Sequence, residues 1–141
     1  MLTLTTLLRI GGALHFGILI ASALVPQVLD WRKSLASLDK LLRQLIWVHG
    51  IFIVLVIIGF GVLSLLNAGA LASGSLLARS VCGFISFFWL ARLVIQCFVF
   101  DATPVIKSAW LKLGYHALTA VFTYMAVVYG LAALLPNRFL N

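Results

Sequence analysis

Four long apolar runs, at roughly 7–29, 45–66, 76–100 and 113–135, constrain this chain more than any other feature. Each has about 20 residues or more, the length of α-helix that crosses the roughly 30 Å hydrocarbon core of a bilayer. In lipid the backbone must satisfy its own hydrogen bonds, so such runs predict helical spans. Composition agrees. Of the 141 residues 64% are hydrophobic and 9% charged, whereas a soluble domain carries about a quarter charged residues. The expectation is an all-α membrane protein, one integral domain over residues 1–141, built as an up-down four-helix transmembrane bundle. No room is left for a separate soluble domain. The first run lacks a basic lead-in and a clear small-residue cleavage site, so it reads as a retained helix and not a signal peptide.

The charges sort by side. A net charge of +7, from 10 Lys or Arg against 3 Asp, flanks the apolar runs and forms no stripe. That pattern argues for the lipid bilayer as partner and against nucleic acid. The 30–44 connection holds Arg32, Lys33, Lys40 and Arg43, and the 101–112 connection holds Lys107 and Lys112, which makes six. The opposite side has three, Arg9, Arg79 and Arg138. Positive charge stays cytoplasmic, so both termini are expected outside a bacterial-type inner (cell) membrane.

The connections carry further expectations. In DWRKSLASLDKLLRQL, Trp31, Leu35, Leu38, Leu42 and Leu45 recur at helical spacing, which predicts an amphipathic cytoplasmic helix running on into the second span. In DATPVIKSAWLK, Thr103 and Pro104 fit the cap and first turn of the fourth helix. The Gly-, Ala- and Ser-rich NAGALASGSLLARS suits a flexible outer loop. Trp31, Trp47 and Trp110 fall where an interfacial belt is expected. Cys82 and Cys97 lie about 22 Å apart along one helix, too far to form a disulfide. Both read as small buried hydrophobes.

Few groups inside the spans can carry chemistry. His49 and His116 each sit about 5 to 6 Å below the cytoplasmic boundary, on the second and fourth helices. In a simple bundle these helices face each other across a diagonal of roughly 11 to 14 Å. That gap suits haem b with one imidazole on each side of the iron, so His49 and His116 are the candidate metal ligands. Hydrogen bonding between helices is the competing role. His15, nearer the opposite leaflet, suits a second tetrapyrrole or a quinone. Small and hydroxylated residues form inward seams: Gly11, His15, Ile18 and Ser22 on the first span, and His116, Thr119, Ala120, Thr123, Ala126 and Gly130 on the fourth. On the third, Phe88, Trp89, Arg92 and Gln96 share a face.

Arg92 is costly where it stands, at about 2.5 to 3.5 kcal/mol on insertion scales. No Asp or Glu lies within a span, and Gln96 one turn away offers a carbonyl without charge. Arg92 and Gln96 therefore join the candidate cofactor-binding residues, with a propionate, a porphyrin carboxylate or a lipid phosphate as the anion. Snorkelling of Arg92 to the interface is the alternative. The absence of intramembrane carboxylates argues against a proton-driven transporter.

The stretches ALHFG around His15, LLRQLIWVHG leading to His49, and FWLARL around Arg92 resemble a group of small four-helix membrane proteins. The group includes the copper-resistance D-type domain and the bacterial membrane protoporphyrinogen oxidase. The resemblance implies a tetrapyrrole near these residues. A first-helix histidine and a third-helix basic residue, usually lysine, would map onto His15 and Arg92. The family's fourth-helix polar motif has no counterpart.

These features lead to the expectation of a tetrapyrrole-binding subunit, most simply with haem b, in a larger redox or electron-transfer assembly with other membrane subunits. Two alternatives stay open. One is a membrane enzyme oxidising a porphyrin or quinone, with His15 as proton acceptor and Arg92 as carboxylate clamp. The other is a cofactor-free structural or pigment-binding subunit.

Overall fold

In chain order the elements are α1 (Leu4–Ala23), α2 (Val25–Val28), α3 (Trp31–Leu35), α4 (Lys40–Leu66), α5 (Ala68–Leu71), α6 (Leu76–Val94), a π-helical turn (Ile95–Val99) and α7 (Ala109–Leu134). The structure, a computed structural model, describes residues 3–28, 30–99 and 108–136. The expected all-α class is found, with no strand among the described residues. Four helical stretches are long and apolar enough to cross a membrane: Leu4–Gln27, Lys40–Leu66, Leu76–Val99 and Ala109–Leu134.

Polar residues ahead of the apolar runs set where three helices begin. Thr3, Ser75 and Ser108 accept hydrogen bonds from the backbone N–H of Thr6, Ala78 and Leu111, at 3.1, 3.1 and 3.2 Å. Each cap satisfies a donor with no partner in its own helix. Ser108 thus starts α7 well before the expected 113, and the Thr103–Pro104 pair lies outside the described residues. At the far end of α1 the ladder breaks at Leu24, where Pro26 has no N–H to give the Ser22 carbonyl.

Two connections depart from expectation. The amphipathic helix predicted to run from Trp31 into the second span is interrupted. α3 ends at Leu35, a bend carries Ser37 and Leu38, and α4 starts anew after an extended Asp39. Serine hydroxyls compete with the helical ladder for backbone groups, and Ser37 donates to the Ser34 carbonyl at 3.4 Å. Asp30 enters α3 in the left-handed region, φ 50°, which aspartate tolerates better than most residues. The expected flexible outer loop is instead packed. α5 buries Ala68 and Leu71, Ala72 follows them inward, and Gly74 at φ 80° supplies the turn into α6.

α6 lies antiparallel to α7, with contacts stepping from Arg79–Ala133 through Ser86–Ala126 to Gln96–Thr119. α1 packs on α4, and both meet α5. Glycines let α1 and α4 come close. A Cβ on Gly61 would stand 2.7 Å from the Phe16 ring and 3.2 Å from the His15 Cβ. The buried residues of α4 are Ile57, Gly61 and Ser64, and those of α7 run from Phe122 onward. The core therefore sits in the half of the bundle nearer α5. In the half nearer α3, residues 40–56 of α4 and 109–121 of α7 contain no buried residue.

Candidate functional site

His15 is fully buried at the centre of the packed half. Its Nδ1 lies 2.7 Å from the Gly11 carbonyl, which can only accept, so Nδ1 carries the hydrogen. Its Nε2 receives the indole N–H of Trp89 at 2.9 Å, and that group can only donate. The two partners together assign the neutral Nδ1–H tautomer. Phe60, Trp89 and Tyr129 surround the imidazole edge-on, with ring centroids 5.3 to 5.9 Å away. Tyr129 shares a 2.5 Å hydrogen bond with Ser64, and its ring lies against Gly11, where a Cβ would stand 3.1 Å away. Four helices thus converge on one imidazole, through Gly11, Phe60, Trp89 and Tyr129.

Both ring nitrogens are occupied, so in this arrangement His15 offers no lone pair to iron or to a substrate proton. Either role needs Trp89 displaced first. The inward placement of Gly11, His15 and Ile18 matches the expected seam. The sequence reading placed Trp89 on the inner face without pairing it with His15, and it missed Tyr129 and Ser64. The one available signal was their polarity within otherwise apolar turns.

From Trp89 a column leads to Arg92. The indole stacks on Phe122, centroids 5.2 Å apart and planes 18° from parallel. The Arg92 guanidinium carbon sits 5.2 Å from the centre of the same Phe122 ring. A ring face attracts a cation, more strongly where water is scarce. This answers part of the cost of Arg92. One turn further on, the chain widens into the π-helical turn, a local form frequent at functional sites. There buried Gln96 donates its amide to Thr119 Oγ1 at 2.6 Å, and its backbone carbonyl accepts from the Tyr115 hydroxyl at 3.0 Å. Gln96 meets Thr119 and Tyr115 of α7, a pairing the sequence reading did not make, while Arg92 one turn earlier meets Phe122.

His49 and His116 are placed differently. Both are exposed. His116 lies about 180° around α7 from the fully buried Met125, at about 100° per residue. The structure does not bring the two imidazoles into the interior between α4 and α7. His49 Nδ1 donates to the Leu45 carbonyl at 2.7 Å, which leaves its Nε2 as the lone-pair nitrogen on the exposed side. No group of three or more His, Cys, Asp or Glu side chains stands ready to hold a metal ion among the described residues. Cys82 is buried as expected, its thiol 3.7 Å from the Leu71 carbonyl, but Cys97 is exposed on the π-helical turn. Of the belt tryptophans, Trp47 and Trp110 are exposed and Trp31 rests edge-on against Trp47.

No protein-family model, curated protein or solved structure matches this chain.

Proposed function

We propose that this chain crosses an inner membrane four times, up and down, as a scaffold subunit of a larger membrane assembly. One observation carries the reading. Residues 40–56 of α4 run without a single buried position, beside a half-bundle that is fully packed. The packed half needs nothing further, since its polar groups saturate one another around His15. The open half presents Gln44, His49 and His116 at its surface. In lipid, polar side chains of this kind serve helix–helix recognition. A neighbouring subunit against the His49 face of α4 covers that imidazole.

The test is site-specific photocrosslinking in native membranes. A photoreactive side chain at Ile53, exposed one turn beyond His49 on the same face of the open half, is expected to give one discrete protein adduct. The same probe at Leu77, exposed near α5, is expected to label lipid alone. Lipid labelling from both positions would remove the scaffold reading.

A second reading is favoured by the tautomer of His49. Ligating histidines usually donate the other ring N–H to a carbonyl or carboxylate, and His49 does so to Leu45. Haem b would then be held at the subunit boundary, with His49 as one axial ligand and the second ligand from His116 of another copy or from a partner. Protein purified in a mild detergent from native membranes should show a Soret band that His49→Ala abolishes. A spectrum without that band removes the haem, not the scaffold.

A further inference from the structure

The end of the molecule formed by α3 and the first turns of α4 carries four cations, Arg32, Lys33, Lys40 and Arg43, against two anions, Asp30 and Asp39. Among the described residues neither aspartate pairs with any of the four. Arg43 is half-buried, and with Gln44, Trp47 and Val48 it lines an open depression on the surface of α4. Trp31 from α3 closes on Trp47 with ring centroids 5.2 Å apart. Further along the same face of α4, Ile51, Phe52 and Leu55 are exposed. Positions four residues apart share a helix face, so Arg43, Trp47, Ile51 and Leu55 form one stripe. Read along the helix axis, that stripe is cationic, then aromatic, then apolar.

We propose that this depression binds one anionic phospholipid. The phosphate lies on Arg43 and the Gln44 amide, the glycerol region against Trp47, and an acyl chain along Ile51 and Leu55. A guanidinium suits this role because its parallel N–H groups match two phosphate oxygens. Indoles favour the headgroup level because one edge is polar and the ring is apolar. A zwitterionic lipid offers the same phosphate but brings an ammonium into a cluster with two positive charges in excess. Headgroup charge is therefore the property the site reads. The inference rests on α4 spanning a bilayer and does not depend on which subunit, if any, covers the open half.

The full chain, purified in a mild detergent, is titrated with an equimolar mixture of phosphatidylglycerol and phosphatidylcholine, and bound lipid is counted by native mass spectrometry. One phosphatidylglycerol is expected to be retained over phosphatidylcholine by about fivefold, the ratio that about 1 kcal/mol per basic residue at a surface supplies. Arg43→Gln should bring the ratio to about one, with the melting temperature unchanged. Arg9→Gln, at the exposed start of α1, should leave the preference intact. Equal retention of the two lipids overturns the site. So does an equal loss from Arg9→Gln and Arg43→Gln, which would mean a diffuse field and no site. Alkaline carbonate extraction separates the premises. Protein released from membranes ends the spanning reading and the site with it, while retained protein without lipid preference ends the site alone.

Discussion

The two halves of the bundle solve the same problem in opposite ways. Near α5, side chains from every long helix fill one interior, and the polar ones answer each other: His15 with Trp89, Tyr129 with Ser64, Arg79 with the Ala133 carbonyl at 2.6 Å. Near α3, α4 has no buried position from 40 to 56 and α7 keeps no buried residue before Phe122. Hydropathy does not track burial, since α4 has the highest mean hydropathy of the four long helices, 2.6, and the least burial, 11%. In lipid, apolar surface gains little by leaving the solvent, so association follows close packing and hydrogen bonds instead. Closely packed glycines and the buried His15 and Ser64 mark the packed half, while buried Gln96 pairs with Thr119 beyond it. The open half has glycines too, but Gly50 and Gly114 would meet nothing within 4 Å if they carried a Cβ.

The largest effects should therefore come from the packed half. Trp89→Ala removes the donor to His15 and the partner stacked on Phe122, and leaves a hole where the residue is 1% exposed. Truncations of buried aromatic residues cost about 3 to 5 kcal/mol. Trp47→Ala, exposed in the open half, should stay within about 0.5 kcal/mol. Thermal unfolding in micelles, followed by circular dichroism, compares the two. Equal losses would mean that the open half is packed as tightly as the other.

Glycines give the next comparison. Gly61→Ala forces the Phe16 ring to move and presses on the His15 Cβ. Overpacking of this kind costs about 1 to 3 kcal/mol. Gly50→Ala meets open space, and replacing a mid-helix glycine gains about 0.5 to 1 kcal/mol. Opposite signs at two glycines of one helix, read as melting temperatures of the two variants, would confirm where α4 is packed. A gain at both positions would place the close contact elsewhere.

How much of this was legible in the sequence follows the same division. Four runs of about 20 apolar residues dictated four helices, because length and hydropathy are properties of each run alone. The inward seam of Gly11, His15 and Ile18 was legible too, since glycine and histidine are conspicuous among leucines. The pairing of His15 with Trp89 was not. They lie 74 residues apart, and nothing local records which of several inward polar groups meet. The equal depth expected for His49 and His116 concerned position along the helix axes alone. It carried no information about azimuth, and the rotation of α7 turns His116 outward. The bend at Ser37 was available from serine chemistry, but the leucine periodicity across it was the stronger signal.

Removing single hydrogen bonds gives a smaller effect than either substitution above. Tyr129→Phe keeps the ring against Gly11 and His15 but deprives Ser64 of its partner. Trp89→Phe keeps the contact with Phe122 but leaves Nε2 of His15 without a donor. Interhelical bonds in membranes average about 0.6 kcal/mol and reach about 1.7. Each variant is expected near the upper part of that range, because the orphaned partner stays buried. His15→Leu combined with Trp89→Phe should cost less than the sum of the singles, and unfolding of all three variants measures the coupling. Strict additivity would show that the imidazole and indole do not act as a pair.

The smallest effect is expected at the two exposed imidazoles. Among the described residues His49 donates to a carbonyl of its own helix, and His116 meets the ring of neighbouring Tyr115 edge-on, with centroids 5.8 Å apart. Neither side chain links two helices, so His49→Ala and His116→Ala should each shift unfolding by no more than about 0.5 kcal/mol in the isolated chain. The same substitutions acquire a cost only when something covers the open half, because truncation then removes a contact with the covering group. Comparing wild type and His49→Ala in detergent-purified monomer and again in native membranes separates the two situations. No change in the monomer with a clear loss of thermal resistance in membranes fits an open half that a partner completes. A loss in the monomer itself would mean that His49 already bridges helices, and the two halves would then differ less than their burial implies.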